Sequence, residues 1–230
     1  MLDGAMRKII DPPLSLVGKA LAKSGVGADQ VTLAGLGLGL LASAAIALSW
    51  FWVGLAFIVL SRLADGLDGA VARASSKTDF GGYLDIALDF LFYGAVPVGF
   101  VISDPGANAI PGAILLASFY FNGSTFLGYA ILAEKKELQT TARGSKSLYF
   151  TGGLLEGTET IAFFIVLCIW PAIFPWAALV FAALSFVTGA SRILLARQVF
   201  AERQSDLIEP EAEVGDEVVD SFKSDRKSKK

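Results

Sequence analysis

The stretch Asp65-Gly66-Leu67-Asp68-Gly69-Ala70-Val71-Ala72-Arg73, followed by Gly81-Gly82-Tyr83-Leu84-Asp85-Ile86-Ala87-Leu88-Asp89, sets four carboxylates between long apolar runs. An ionised Asp near the centre of a bilayer costs about 2.5 to 3.5 kcal/mol on insertion scales, so four at membrane depth together cost on the order of 10 kcal/mol. A positive partner has to offset that charge, and a divalent metal ion is the natural candidate.

The surrounding chain makes membrane depth the right reference. It has 230 residues, 54% of them hydrophobic, and a mean hydropathy of +0.59, too apolar for a soluble domain of this length. Apolar runs able to cross about 30 Å of hydrocarbon begin near Val31, Phe51, Gly81, Ala109, Leu148 and Pro171 and end near Ser49, Val71, Ile102, Leu132, Ile169 and Ala196. The expected fold is therefore all-α and integral to the membrane, with six transmembrane helices across residues 31–197.

Lysines and arginines in short loops stay on the cytoplasmic side. All 19 of them fall in the N-terminal segment, around the connection between spans two and three, between spans four and five, or from Arg192 onward. The loops around Trp50, Asp104 to Asn108, and Trp170 have none. Both termini and the aspartates are thus expected to face the cytoplasm.

Histidine is absent and Cys168 is the single cysteine. That excludes an imidazole base, a His-dependent triad and a Cys/His metal site, and a single cysteine allows no disulfide within the chain. Oxygen ligands alone favour hard cations such as Mg²⁺ or Mn²⁺. No nucleic-acid partner is expected.

Residues 1–30 read as a cytoplasmic, interfacial segment and not as a signal peptide, because the first uninterrupted apolar run begins only at Val31. Pro12 and Pro13 are expected to open a short amphipathic helix with Leu14, Val17 and Leu21 on one face, closed by Gly25; a disordered basic arm is the alternative. Residues 198–230 read as a disordered tail, with seven acids from Asp206 to Asp220 and a basic tip from Lys223 to Lys230.

Positions three or four apart on a helix share a face. Asp65 and Asp68 should project together from the cytoplasmic end of span two, and Asp85 and Asp89 from the start of span three. Across a helix hairpin the two pairs can form a two-metal cage. The interleaved Gly66, Gly69, Ala70, Ala72, Gly81 and Gly82 permit close packing of helices and close approach of a ligand.

Asp65-x-x-Asp68-Gly69-x-x-Ala72-Arg73, seven residues, then Gly81-x-x-x-Asp85-x-x-x-Asp89 resembles the full signature of the CDP-alcohol phosphatidyltransferase family, with every position filled. The resemblance implies metal-dependent transfer of a substituted phosphate from a CDP-linked donor, such as CDP-diacylglycerol, to an alcohol, with release of CMP. It implies two Mg²⁺ or Mn²⁺ ions on Asp65, Asp68 and Asp85, with Asp89 both binding metal and taking the acceptor's proton. Gly69, Arg73 and Thr78 resemble donor contacts; the alternative for Arg73, which the motif disfavours, is a topological anchor or a structural partner for an aspartate. Ala28-Asp29-Gln30-Val31-Thr32 resembles the family's Pro-Asn-x-x-Thr entry to the nucleotide site. Thr32 matches it; Ala28 and Asp29 depart from it, and Asp29 is expected to be an N-cap. A homodimer is implied by resemblance alone, and the compact chain reads as a bacterial inner-membrane protein.

For the acceptor, Glu156 and Glu159 share a helical face at span five, and Lys146, Arg143 and Arg192 lie where they could hold a phosphorylated alcohol. The carboxylates could instead pair with Arg192 or Arg62, and the basic residues could simply anchor topology. Glycerol 3-phosphate, inositol phosphate, serine and choline all remain compatible acceptors. The competing functional class is an intramembrane cation transporter or proton relay, which would need acids spread across the membrane and not gathered near one surface.

Overall fold

A computed structural model of the chain describes residues 3–135, 155 and 157–205. Every regular element among them is helical: α1 (Asp3–Lys23), α2 (Ala28–Ala47), α3 (Phe51–Ala74), α4 (Asp79–Ser103), α5 (Pro105–Lys135), α6 (Gly157–Ile169), a 3₁₀ turn (Pro171–Ile173) and α7 (Phe174–Ser205). Four of the described helical segments are long and apolar enough to cross a membrane: Ala28–Ala47, Asp79–Ser103, Pro105–Glu134 and Pro171–Phe200. The expected second span is α3, whose 24 residues are long enough but include Arg62, Asp65, Asp68 and Arg73. Of the expected fifth span, residues 148–154 and 156 lie outside the described residues; the described part forms α6, whose 13 residues rise about 20 Å.

The chain divides into two compact units, residues 1–124 with 152–189, and residues 125–151 with 190–230. In the first, α2 packs on α3 and α4, α1 packs on α3, and α6 packs on α3. Small residues bring α2 close to its neighbours. A Cβ at Gly35 would lie 3.2 Å from Ala64 Cβ, and one at Gly39 only 2.5 Å from the Phe92 ring. Gly37, between them, faces open space. Two buried or half-buried hydroxyls add bonds across the helices: Ser61 donates to Gly35 O (2.8 Å) and Ser43 to Ala95 O (2.6 Å). Such bonds fix helix register where no water is available to satisfy the groups.

Below this glycine seam lies an aromatic core. Phe100 stacks between Phe51 (6.0 Å between ring centres) and Phe174 (5.1 Å), while Phe164 meets Phe92 edge-on at 6.2 Å and Phe163 stacks on Phe181 at 4.2 Å. At the far end, residues of the three base-free turns border one cavity, lined by Ser49, Ser103, Asp104, Asn108 and Pro171 among others. Trp50, Trp52, Trp170 and Trp176, all the tryptophans of the chain, are strongly exposed there or close by. They lie at the opposite end of the helices from the aspartates.

In the second unit, Arg192 is buried, with its guanidinium 5.5 Å from the Phe126 ring centre, and Tyr129 meets Phe200 at 5.4 Å.

Two local expectations are corrected. The first helix starts at Asp3, so Pro12 and Pro13 lie inside it; a proline removes a hydrogen bond from the helix interior without ending the helix when packing holds it. That packing is on α3, where Gly18 is buried against Ala70 and Val71, and Val17 turns outward. The N-cap of α2 is Gly27, not Asp29: the Gly27 N–H donates to the Gln30 side chain at 3.2 Å, and Asp29 sits in the first turn. The expected tail beyond Ser205 lies outside the described residues.

Candidate metal centre

The turn of residues 75–78 returns the chain from α3 to α4, placing the C-terminal end of α3 beside the N-terminal end of α4. Thr78 caps α4 by accepting the Gly81 N–H at 3.0 Å. Asp85 then lies about 9 Å and Asp89 about 15 Å along α4 from Asp79, at 1.5 Å per residue. With Asp68 and Asp65 on successive turns of α3, carboxylates of the two helices come into register.

Asp65, Asp68 and Asp85 each turn an oxygen into one cluster in which the three atoms lie within 4.8 Å of one another. Asp68 is buried, and its Oδ2 has no hydrogen-bond partner. A buried carboxylate oxygen without a partner is costly, and a hard divalent cation would satisfy it. The donor set therefore fits Mg²⁺ or Mn²⁺. Thr32, also buried, donates its hydroxyl to Ala28 O at 3.1 Å and lies beside Asp68. It lines a cleft with Gly35, Leu36, Arg62, Asp65, Asp85, Leu88 and Asp89.

Asp89 lines the same cleft but is engaged differently. Its Oδ1 accepts a hydrogen bond from Arg62 Nη1 at 2.7 Å, and the same Nη1 lies 3.5 Å from Asp65 Oδ1. The guanidinium sits 3.9 Å above the centre of the Phe92 ring and 5.8 Å from that of Tyr93, with Nη2 bonded to Ser61 Oγ at 3.3 Å. Arg62 is the residue of the cleft that sequence reasoning placed only among topological charges and possible partners of the span-five acids. The signal was present in its position three residues before Asp65, on the same helical face and inside an apolar run.

A Cβ at Gly69 would sit 3.3 Å from Arg73 Nη1, so the exposed Arg73 side chain folds back over that glycine. Thr78 is exposed at the turn, and Asp29 of α2 reaches the same place, with its Oδ1 3.1 Å from where a Gly81 Cβ would be. Glu159 lies in the first turn of α6. That helix begins beside the site, since a Cβ at Gly157 would meet the Tyr93 hydroxyl at 3.1 Å. Lys146, Arg143 and Glu156 lie outside the described residues, and Arg192 belongs to the second unit.

Fold and cluster together define an integral-membrane helical protein with a carboxylate cluster able to hold a metal ion near one end of its helices. The profile of the CDP-alcohol phosphatidyltransferase family matches residues 26–189, and the chain belongs to that family of enzymes. It is 46% identical over 193 residues to the inner membrane protein YnjF of Escherichia coli K12, spanning 84% of this chain and 94% of that one. A shorter similarity, 34% over 98 residues, relates 42% of the chain to 52% of the archaetidylinositol phosphate synthase of Pyrococcus horikoshii. Among solved structures, the fold is similar to that of Mycobacterium tuberculosis phosphatidylinositol phosphate synthase (PgsA1). The form with CDP-DAG bound gives a TM-score of 0.59 at 21% identity, covering 80% of this chain and 93% of that one. The complex with manganese and citrate gives 0.56 at 22% identity, covering 78% and 87%.

Proposed function

We propose that this enzyme transfers a substituted phosphate group from a CDP-alcohol, with CDP-diacylglycerol as the expected donor, to the hydroxyl of an alcohol acceptor, releasing CMP. The observation that carries this reading is the convergence of Asp65, Asp68 and Asp85 around the unpartnered Asp68 Oδ2. Bound there, one or two divalent ions would neutralise the donor pyrophosphate and stabilise the leaving phosphate oxygen.

The chain's own groups would do the rest. Thr32, Gly69, Arg73 and Thr78 border the donor side; the small Gly69 allows close approach, and Arg73 supplies positive charge. Asp89 accepts the proton of the attacking hydroxyl as the new O–P bond forms and the bond to CMP breaks. With no histidine in the chain, a carboxylate is the base at hand. Its Oδ1 is held by Arg62, which leaves Oδ2 for the acceptor. Glu159 at the start of α6, together with Glu156, Lys146 and Arg192, are the acceptor-side candidates.

We read six membrane crossings, with α3 and α6 as the second and fifth, both termini and the metal centre on the cytoplasmic side, and the inner membrane as the location. The base-free turns and exposed tryptophans at the opposite end support that orientation. A homodimer is part of the same reading. The transport alternative is not favoured, because the described carboxylates inside α3 and α4 gather at one end of those helices.

The test is CMP release from CDP-diacylglycerol by purified protein across an acceptor panel that includes glycerol 3-phosphate, inositol phosphate, serine and choline. Activity should require Mg²⁺ or Mn²⁺ and vanish in Asp68→Asn and Asp89→Asn with the fold retained. Metal-independent turnover, or full activity in either variant, would refute the assignment.

A further inference from the structure

Among the described residues lining the carboxylate cleft Arg62 is the sole cation, and it is built in from three helices. Ser61, its neighbour on α3, bonds both Arg62 Nη2 and Gly35 O of α2, while Phe92 and Tyr93 of α4 lie beneath the guanidinium. Phe92 is fully buried, so the platform cannot swing away. An arginine on a ring face, with one arm of its planar fork on a carboxylate and the other on a buried hydroxyl, has little freedom to leave them.

This has a consequence for charge. Asp65, Asp68 and Asp85 form a three-oxygen cluster, and Asp89 stands apart from it, bonded to Arg62 at 2.7 Å. One divalent ion can bind the cluster without breaking that bond. A second ion that used Asp89 would have to compete with a guanidinium already occupying its Oδ1, and would be repelled by it.

We propose that Arg62 is a positioning residue that reserves Asp89 for the acceptor's proton and weakens binding of a second divalent ion. It does so by clamping one carboxylate oxygen of Asp89 and placing a fixed positive charge next to Asp65. The proposal rests on the metal-dependent reading above, and it separates two effects of one side chain: its charge opposes metal, and its geometry orients the base.

The experiment uses the full chain in detergent or nanodiscs. Binding is followed by the loss of the free Mn²⁺ signal in electron paramagnetic resonance, without donor or acceptor, and CMP release is measured separately at saturating metal. Removing a unit charge next to the ion should make Arg62→Gln bind Mn²⁺ at least about tenfold more tightly or take up an additional equivalent, while kcat falls at least about tenfold because Asp89 loses its clamp. Tighter metal with slower turnover is a combination that simple loss of structure does not produce.

Arg62→Lys keeps the charge without the fork. Its Mn²⁺ isotherm should stay within about threefold of wild type while kcat still falls. A wild-type isotherm in Arg62→Gln, or wild-type turnover in Arg62→Lys, would overturn the assignment. Failure of the wild-type protein to bind Mn²⁺ would instead remove the metal-dependent reading itself, and this proposal with it.

Discussion

Gly39 and Gly37 lie two residues apart on α2, and the same substitution at each should have opposite effects. A Cβ at Gly39 would stand 2.5 Å from Phe92 Cδ2 and 3.2 Å from Ser61 Oγ. Both neighbours are fully buried, and Phe92 is packed against Tyr93 and Phe164, so the ring has nowhere to retreat. Overpacking of this kind costs about 1 to 3 kcal/mol. At roughly 2 to 4 °C per kcal/mol for a chain of this size, Gly39→Ala should lower the midpoint of thermal unfolding in detergent by about 5 °C.

The effect should reach the chemistry, because the displaced ring is the platform under Arg62. A shift approaching 1 Å in Arg62 carries Asp89 with it, and misplacement on that scale costs up to about 100-fold in rate; a fall of at least about tenfold in CMP release is expected. Gly37 has no heavy atom within 4 Å of an added Cβ. Gly37→Ala should therefore gain helix stability of about 0.5 to 1 kcal/mol and keep full activity. Paired melting curves and CMP-release assays decide the matter. An unaffected Gly39→Ala, or a Gly37→Ala as damaged as its neighbour, would refute the assignment of Gly39 to the seam that positions the site.

Other outcomes follow from the same geometry. Gly18→Ala should destabilise by about 1 to 3 kcal/mol, since the added methyl would meet the Ala70 methyl at 2.7 Å and the backbone of Ala70 and Val71 at 2.9 and 3.0 Å. Gly66→Ala meets only the end of Leu14 at 2.7 Å, a side chain able to turn, and should cost less; thermal melts compare the two. Ser61→Ala removes the bond to Gly35 O and the contact with Arg62, with an expected loss of about 1 kcal/mol and slower CMP release. Thr78→Ala removes the cap on α4 at a cost of about 1 kcal/mol, which hydrogen exchange at the Gly81 amide should register and Thr78→Ser should reverse. Chelation with EDTA should abolish CMP release, and added Mn²⁺ should restore it.

The helical class, the membrane setting and the principal carboxylates were legible in the sequence because each rests on local chemistry. Apolar run length reports hydrocarbon thickness whatever the runs pack against. The spacing of Asp65 to Asp68 and of Asp85 to Asp89 puts each pair on one side of its helix by geometry alone. The interior prolines of α1 were misread because Pro12-Pro13 is a strong local start signal, and only the docking of Gly18 on α3 shows why the helix continues through them. Asp29 as a cap failed for a similar reason: Gly27 and Gln30 satisfy that helix end between themselves.

Sequence by itself therefore determined an all-α membrane enzyme of the CDP-alcohol phosphatidyltransferase family, with four aspartates on two successive helices. Tertiary structure decided how those four divide. Asp65, Asp68 and Asp85 converge because the turn at residues 75–78 brings two helix ends into register, whereas Asp89 is drawn to Arg62, 27 residues earlier in the chain. That pairing depends on the Phe92 ring beneath the guanidinium and on the glycine seam that packs α2 against it. Contacts so distant in sequence leave no local period to read: only the packing of the helices brings the ring, the guanidinium and the carboxylate together.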